Sequence, residues 1–419
     1  MKPLRVLYLH MIGSFGGASR SLFEVVRAFP PGEVEASFVT QSGSASAFFA
    51  RVGEVEESRG MTQFDHTRYS HYRGTRWLVL LRELAYLPFT FAALRRARAR
   101  WGDFDLIHLN EFTGLVPLWL ARRMFCAPAV VHVRSVVHDD LRCRRTLWVH
   151  RMLRDEAKAV IAIDQNVRAS LPSEMAVEVI HNAFSPNEQP SGYDSIEERL
   201  KLLRPSSFKV GFVGNLLRVK GIHELIEAAR LTRDRGLDVE FIIVGDDTAP
   251  SRGVKARILR TLGLTQNARA EVEAAISLHD LRERMHMLGF TNNIARAYRH
   301  MDVLCFPSHY DAPGRPIFEA AYFGVPSIVA VRQPREDTMI HGETGIAVAP
   351  HSGDELAAAI ERLATDKALA QRMGEAARAM AEQNFNVQRN ARHLLGVYRR
   401  VVSEAGTRQI QVPATANTP

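Results

Sequence analysis

The chain has 419 residues, 46% of them apolar, and a formal net charge of +8. Length and composition exclude a disordered or fibrous chain and set an expectation of two or three domains, each with its own core. The positive balance calls for an anionic partner. The three cysteines, Cys126, Cys143 and Cys305, show neither a paired pattern nor a metal-ligand spacing, which fits a reducing cytoplasm.

The first predicted element is the strand RVLYLH (Arg5 to His10), too short an apolar run for a secretory signal. The glycine-rich turn MIGSFGGASR and the helical pattern SLFEVVRAF follow it, a strand–turn–helix opening of Rossmann type. Gly13, Gly16 and Gly17 do not meet the six-residue dinucleotide fingerprint. They are either a tight turn needing positive φ or a place where backbone approaches a ligand. Further strands are expected at EASFVT, DLIHLN (Asp105 to Asn110), PAVVHVR (Pro128 to Arg134), VIAID and EVIHNAF, separated by helices. Such alternation indicates a parallel sheet covered on both faces. Ligands of these sheets bind at the carboxyl ends of the strands, which points to His108, Asn110, Arg134 and Ser135. His132 and Arg134 are two apart and share a strand face. Arg134 is either a cationic contact for an anionic group or the partner of Asp139 or Asp140.

Between these strands, Trp77 to Leu94 is apolar at helical intervals but contains Arg82, Glu83 and Pro88, which excludes a spanning helix. Arg95, Arg96, Arg98 and Arg100 follow. The stretch is either an amphipathic helix lying on an anionic membrane face or a core helix with a solvated basic end. A second basic run, Arg142 to Arg154, carries the same two readings. SPNEQPSGYDS (Ser185 to Ser195) has linker composition, placing a boundary near residue 186.

The pattern then restarts. FKVGFVGNLLRVKGIHELIEAAR runs from an apolar strand through a basic loop into a helix with Ile222, Leu225, Ile226 and Ala229 on one face. Two cations, Arg218 and Lys220, before a helix N-terminus suit a diphosphate. DVEFIIVGDD is a buried-strand run, and the long basic connection after it has no assigned role. MHMLGFTNN, MDVLC and PSIVA complete the strands, and Asp354 to Tyr398 is mostly helical.

The most specific stretch is FPSHYDAPGRPIFEAAYFGVP, Phe306 to Pro326. It reads strand, Gly/Pro loop, helix, with Asp311 in the loop and Glu319 in the helix, seven residues between them. Main-chain donors at Gly314, Arg315 and Ile317 can face an anionic group, and a carboxylate one turn on can accept from sugar hydroxyls. This segment resembles the PS-x-x-E-x-x-G-x-x-x-x-E-A-x-x-x-G-x-P signature of family-four, GT-B-fold retaining glycosyltransferases. The resemblance covers nearly the full length, most strongly from 208 to 345.

The resemblance implies two Rossmann-like domains facing each other across a cleft, an α/β fold of GT-B type. It implies that Glu319 grips the ribose of a nucleotide sugar and that Asp311, where the family has Glu, faces the transferred sugar. Gly16 and Gly17, in a GGA-x-R opening, would approach the donor diphosphate. Lys220 keeps the family's lysine position, Asn215 stands where its arginine is usual, and Arg218 would reach the same phosphates. Phe290 or its backbone would contact the base, or else is a core phenylalanine. Arg134 takes the place of the family's histidine, with His132, His108 and Asn110 on the acceptor side. The loop Val331 to Gly345 lacks the family's paired glycines.

The expected layout is an acceptor domain over 1–185, a linker over 186–206, a nucleotide-sugar domain over 207–383, a helix over 384–402 returning to the first domain, and a disordered tail over 403–419. The expected activity is retaining transfer of a hexose-type sugar from a nucleoside diphosphate donor to a saccharide or lipid-linked saccharide. Neither metal nor cofactor is expected. Envelope polysaccharide synthesis at the cytoplasmic membrane face is the expected setting, and nucleic acid is not an expected partner, since zinc-finger, RNP and recognition-helix patterns are missing. The alternatives are a nucleotide-sugar-binding scaffold impaired in transfer, motivated by Asn215 and Arg134, and a GT-B epimerase.

Overall fold

The computed structural model describes residues 2–69, 76–186, 196–245, 268–291 and 293–410. The chain divides into two compact units, Met1–Phe184 with Phe385–Pro419, and Ser185–Asn384. Each is built on a parallel sheet.

In the first unit the strands are β1 (Leu4–His10), β2 (Val34–Gln41), β3 (Glu54–Ser58), β4 (Leu106–Leu109), β5 (Ala129–Val133), β6 (Ala159–Ala162) and β7 (Val177–Val179). Their order is β3-β2-β1-β4-β5-β6-β7, with every pair parallel. Because side chains alternate across a strand, Leu7 and Leu9 enter one core with Ile107 and Val131, while Val6 and Tyr8 enter the other with Phe38 and Val130. Both faces are therefore covered, which is why these strands read as nearly unbroken apolar runs. EVEES of β3 has no such run, and periodicity did not disclose it.

The second unit repeats the plan with β8 (Phe208–Val213), β9 (Val239–Val244), β10 (Met285–Gly289), β11 (Val303–Phe306), β12 (Ser327–Ala330) and β13 (Gly345–Val348), ordered β10-β9-β8-β11-β12-β13 and parallel throughout. In both sheets the order reverses beside the first strand, between β1 and β4 and between β8 and β11. The carboxyl ends of those strands are where such sheets hold ligands.

Two boundaries differ from expectation. The later part of the expected linker is structured: Ile196–Leu200 is helical, and Ile196, Leu200 and Leu203 lie in a core of the second unit. Apolar residues every third or fourth position earn that helix its burial despite the polar stretch before it; residues 187–195 lie outside the described residues. The expected tail is helical as far as Ile410, because the last helix, Val387–Ile410, continues past residue 402. Its Ala391, Leu394, Leu395, Val397, Tyr398 and Val401 are buried in the first unit's core with Val6 and Leu106. Residues 411–419 lie outside the described residues, as do 246–267, which include most of the long connection after β9.

Arg76–Trp101 is one helix with Pro88 inside it. Ala93, Leu94 and Ala97 are buried in the first unit's core, while Leu80, Leu84 and Phe91 are exposed. Its basic end is largely paired, Arg96 with Glu56, Arg98 with Asp103 and Arg100 with Glu54. No helix among the described residues is long and apolar enough to cross a membrane.

Candidate active site

In the second unit the basic loop and the Gly/Pro loop are pressed together by a glycine. Gly221 has φ +77°, and a Cβ there would stand 1.9 Å from the carbonyl oxygen of Pro307. Only glycine permits both the left-handed backbone and that approach. A main-chain bond from the His309 N–H to the Val219 carbonyl (2.9 Å) closes the same contact. As a result Lys220 reaches the second loop, its Nζ 4.8 Å from the Tyr310 ring centroid and 5.8 Å from that of Phe306. Burial lowers the Lys220 pKa. An ammonium held on aromatic faces and half removed from water gains most from an incoming anion.

Phe306 also fixes the helix that follows. A Cβ on Gly314 would come within 2.3 Å of the Phe306 ring, so Gly314, the residue before the helix Arg315–Ala321, packs directly on it. Lys220 and the start of this helix thus share one aromatic neighbour at the end of β11. Ile317 is buried and donates its N–H back to Gly314 (3.1 Å). Glu319, also buried, is bonded to the guanidinium of Arg315 and accepts from the Tyr298 hydroxyl (3.0 Å). Asp311 has φ +47°, and its carboxylate accepts from the Arg332 N–H (2.7 Å) and guanidinium (2.9 Å). Both acids of the D-x7-E pair therefore sit against arginines.

Arg218 and Phe290 stand apart from this group. Arg218 is exposed and paired with Glu271 of the helix Ala268–Leu278, at 2.9 Å. Phe290 is 69% exposed, which removes the core reading of that residue. Asn215 is exposed in the loop after β8.

The first unit's strand ends carry a different arrangement. Arg134, buried at the end of β5, donates to Asn110 Oδ1 and to Asn182 Oδ1, each at 2.7 Å, and lies 3.3 Å from His132 Nδ1. Asp139 is instead bonded to Arg68. Asn110 also contacts His10 Nδ1 (3.0 Å) and donates to the Ala18 carbonyl (3.2 Å), tying β1, β4, β5 and the first helix together. His108 meets the hydroxyl of Tyr398 from the last helix at 2.7 Å. Burial, with the charge of Arg134, pushes His10 down to about 3 and lowers His108 and His132 as well, so all three rings are neutral. Their Nε2 atoms are buried with no hydrogen-bond partner among the described residues.

Glu111, at the start of the turn after β4, accepts from the Ser135 hydroxyl (2.7 Å) and the Phe112 N–H (2.8 Å). Burial raises its pKa to about 7 against those bonds. His10, Glu111 and Asn182 were not singled out from the sequence. The strand-end rule that selected His108 and Asn110 would have reached His10 and Glu111 had it been applied to every strand.

The first helix starts at Gly17 after Gly16, whose N–H donates to Ser19 Oγ (2.7 Å). Neither glycine has positive φ, and a Cβ on either would meet nothing within 4 Å. The turn-strain explanation thus fails for Gly16 and Gly17, and what their missing side chains leave is open backbone. Gly13 is explained internally, since a Cβ there would strike the Ser42 carbonyl oxygen at 2.4 Å.

Comparison with known proteins agrees with this layout. Residues 15–188 match the model of Glycosyltransferase Family 4, and residues 194–380 that of Glycosyl transferases group 1. The capsular polysaccharide biosynthesis glycosyltransferase CapM of Staphylococcus aureus is 27% identical over 51% of this chain and 51% of its own length. The 2-deoxystreptamine glucosyltransferase of Streptomyces kanamyceticus is 24% identical over 76% of this chain and 83% of its own. Among solved structures, Anabaena Alr3699/HepE, crystallised with UDP and glucose, superposes with a TM-score of 0.71 at 22% identity, covering 94% of this chain and 99% of that one. The chain spans only about half the length of the S. aureus relative. Two family models covering both units in order, on two parallel sheets of Rossmann strand order, place this chain in the family-four glycosyltransferases of GT-B fold.

Proposed function

We propose that the protein transfers a hexose-type sugar from a nucleoside diphosphate sugar to a saccharide or lipid-linked saccharide, with retention at the anomeric carbon and without a metal. The observation that carries this reading is the meeting of the Lys220 loop with the Gly314 helix start on the Phe306 ring, at the switch point of the second sheet. Lys220 would take the donor diphosphate, supplying the positive charge that the leaving group needs as the glycosidic bond breaks. Glu319 would accept from the ribose hydroxyls and Asp311 would face the sugar. Each would exchange its arginine contact for the donor, so Arg315 and Arg332 hold the acids in place until then. Arg218 would join the phosphates on leaving Glu271. Gly314, Arg315 and Ile317 would border the donor, Gly16 and Gly17 would offer backbone to the diphosphate, Asn215 would flank it, and Phe290 would lie on the base.

On the acceptor side, Arg134, His132, His108 and Asn110 would form a rigid polar floor. Because Nδ1 of neutral His132 accepts from the Arg134 guanidinium, its Nε2 carries the proton and can donate to an acceptor hydroxyl. By analogy with the family, the acceptor attacks from the face the diphosphate leaves, and a donor phosphate oxygen takes its proton. A role in envelope polysaccharide synthesis, with peripheral contact to an anionic membrane through Leu80, Leu84 and Phe91, completes the proposal. The local pairing of Arg96, Arg98 and Arg100 leaves the apolar side chains as the main contribution to that contact.

The test is incubation of purified protein with a panel of nucleotide sugars, with and without saccharide or lipid-linked acceptors, in chelator. A glycosylated product with the donor's anomeric configuration supports the reading. Donor binding with no product favours the impaired scaffold, for which Asn215 in place of arginine is the supporting observation. Donor consumption without acceptor favours an epimerase, and vesicle co-sedimentation tests the membrane contact.

A further inference from the structure

Apart from the donor and acceptor groups, the second unit brings together Glu224, His309 and His351. They come from three elements: Glu224 from the first turn of the helix Ile222–Asp234, His309 from the loop after β11, and His351 from the turn between β13 and the helix Gly353–Thr365. Their ligand atoms all lie within 4.8 Å of one another, the one such group of three among the described residues. His309 Nε2 is 2.9 Å from Glu224 Oε1, His351 Nδ1 is 3.6 Å from the same oxygen, and the two rings are 3.9 Å apart. The second carboxylate oxygen, Glu224 Oε2, is buried with no hydrogen-bond partner among the described residues.

We propose that these three side chains form a binding site for a divalent transition-metal ion, Zn2+ before others. Two imidazoles and one carboxylate are a borderline ligand set that suits Zn2+ and leaves a fourth position for water. Bonds of about 2.0–2.2 Å in a tetrahedron put ligand atoms about 3.3–3.5 Å apart. The Glu224–His309 and Glu224–His351 separations bracket that value, so small side-chain rotations close the site. A plain Glu224–His309 ion pair explains one distance only. It leaves Oε2 unused and gives no reason for a second imidazole against the first. A metal needs both rings neutral, and it replaces the hydrogen bond with three ligand bonds.

Glu224 and His309 are held in register by the backbone, since the His309 N–H is bonded to the Val219 carbonyl and Gly221 packs on Pro307. The ion would therefore tie the helix Ile222–Asp234, the Asp311 loop and the turn before the helix Gly353–Thr365 together. Its role is structural, and it makes no contact with the donor chemistry proposed above.

The experiment titrates untagged, metal-stripped protein with Co2+ and then Zn2+, following the visible Co2+ absorption and the melting temperature. His351→Asn is the first variant: the residue is exposed, and asparagine tolerates its φ of +65°. Glu224→Gln is the second. The expected result is one Co2+ per chain with a four-coordinate spectrum, displaced by Zn2+. Zn2+ should raise the melting temperature of the wild type, and each variant should bind at least about tenfold more weakly. Equal Zn2+ affinity in the wild type and both variants, or no four-coordinate Co2+ band, overturns the proposal.

Discussion

The two sheets share one strand order, yet their carboxyl ends are chemically opposite. In the first unit a single buried guanidinium, Arg134, is held by two amide oxygens and surrounded by neutral histidines. In the second, charge is set against charge, with Glu319 on Arg315, Asp311 on Arg332, and Lys220 on aromatic faces. Amides and imidazoles hold their positions by short bonds that do not depend on a ligand. Breaking a buried ion pair leaves charge uncompensated, so Glu319 and Arg315 can part only as donor groups arrive to bond each of them. The same topology can thus present a fixed polar floor and a responsive charged one.

The sharpest way to break this contrast is Lys220→Ala. Loss of a cation aimed at a leaving group costs about 10²–10³ in turnover, whereas the fold should survive, since Gly221 and not Lys220 holds the loops together. Near-normal kcat/KM with full donor affinity would remove Lys220 from the chemistry. Next is Arg134→Leu in the first unit. It orphans the buried side-chain carbonyl of Asn110 and the half-buried one of Asn182, and unfolding titrations should show a loss of about 3 kcal/mol; an unchanged midpoint would mean that the floor is not held by this residue.

Acid distinguishes the units a third way. His10, His108 and His132 have depressed pKa values in the fold, so the unfolded chain takes up protons first, and stability falls as pH drops below 6.5, the ordinary histidine value. Glu111 works in the other direction: its pKa rises from 4.5 to about 7, and the fold gains from its protonation across that window. Three imidazoles outnumber one carboxyl, so melting temperature should fall on acidification. The fall should steepen in Glu111→Gln by about 2 kcal/mol near pH 5. A shallower slope in that variant would contradict the assignment.

The smallest effect is expected from Arg218→Ala. Its exposed pair with Glu271 contributes about 0–1 kcal/mol, so melting should barely move, and turnover should drop less than for Lys220→Ala. A loss as large as that of Lys220 would show that Arg218 leaves Glu271 during the reaction.

Local pattern was enough to place most of what repeats. Apolar runs marked eleven of the strands, Gly and Pro marked the loops around Asp311 and Lys220, and polar composition marked the boundary near residue 186, because backbone preference and burial period act over a few residues. The acidic strand β3 and the short β13 escaped, since neither carries an extended apolar run. Side-chain partnership was decided only by the tertiary structure. Arg134 is held by Asn110 and Asn182 and not by its near neighbour Asp139, Arg218 turns to Glu271, and His108 meets Tyr398 from 290 positions away. The Glu224, His309 and His351 group has no sequence spacing to read, for its members come from three elements that meet only when the sheet forms. Hydrogen bonds and ion pairs form between whatever the packed strands bring within reach, and distance along the chain carries no information about that reach.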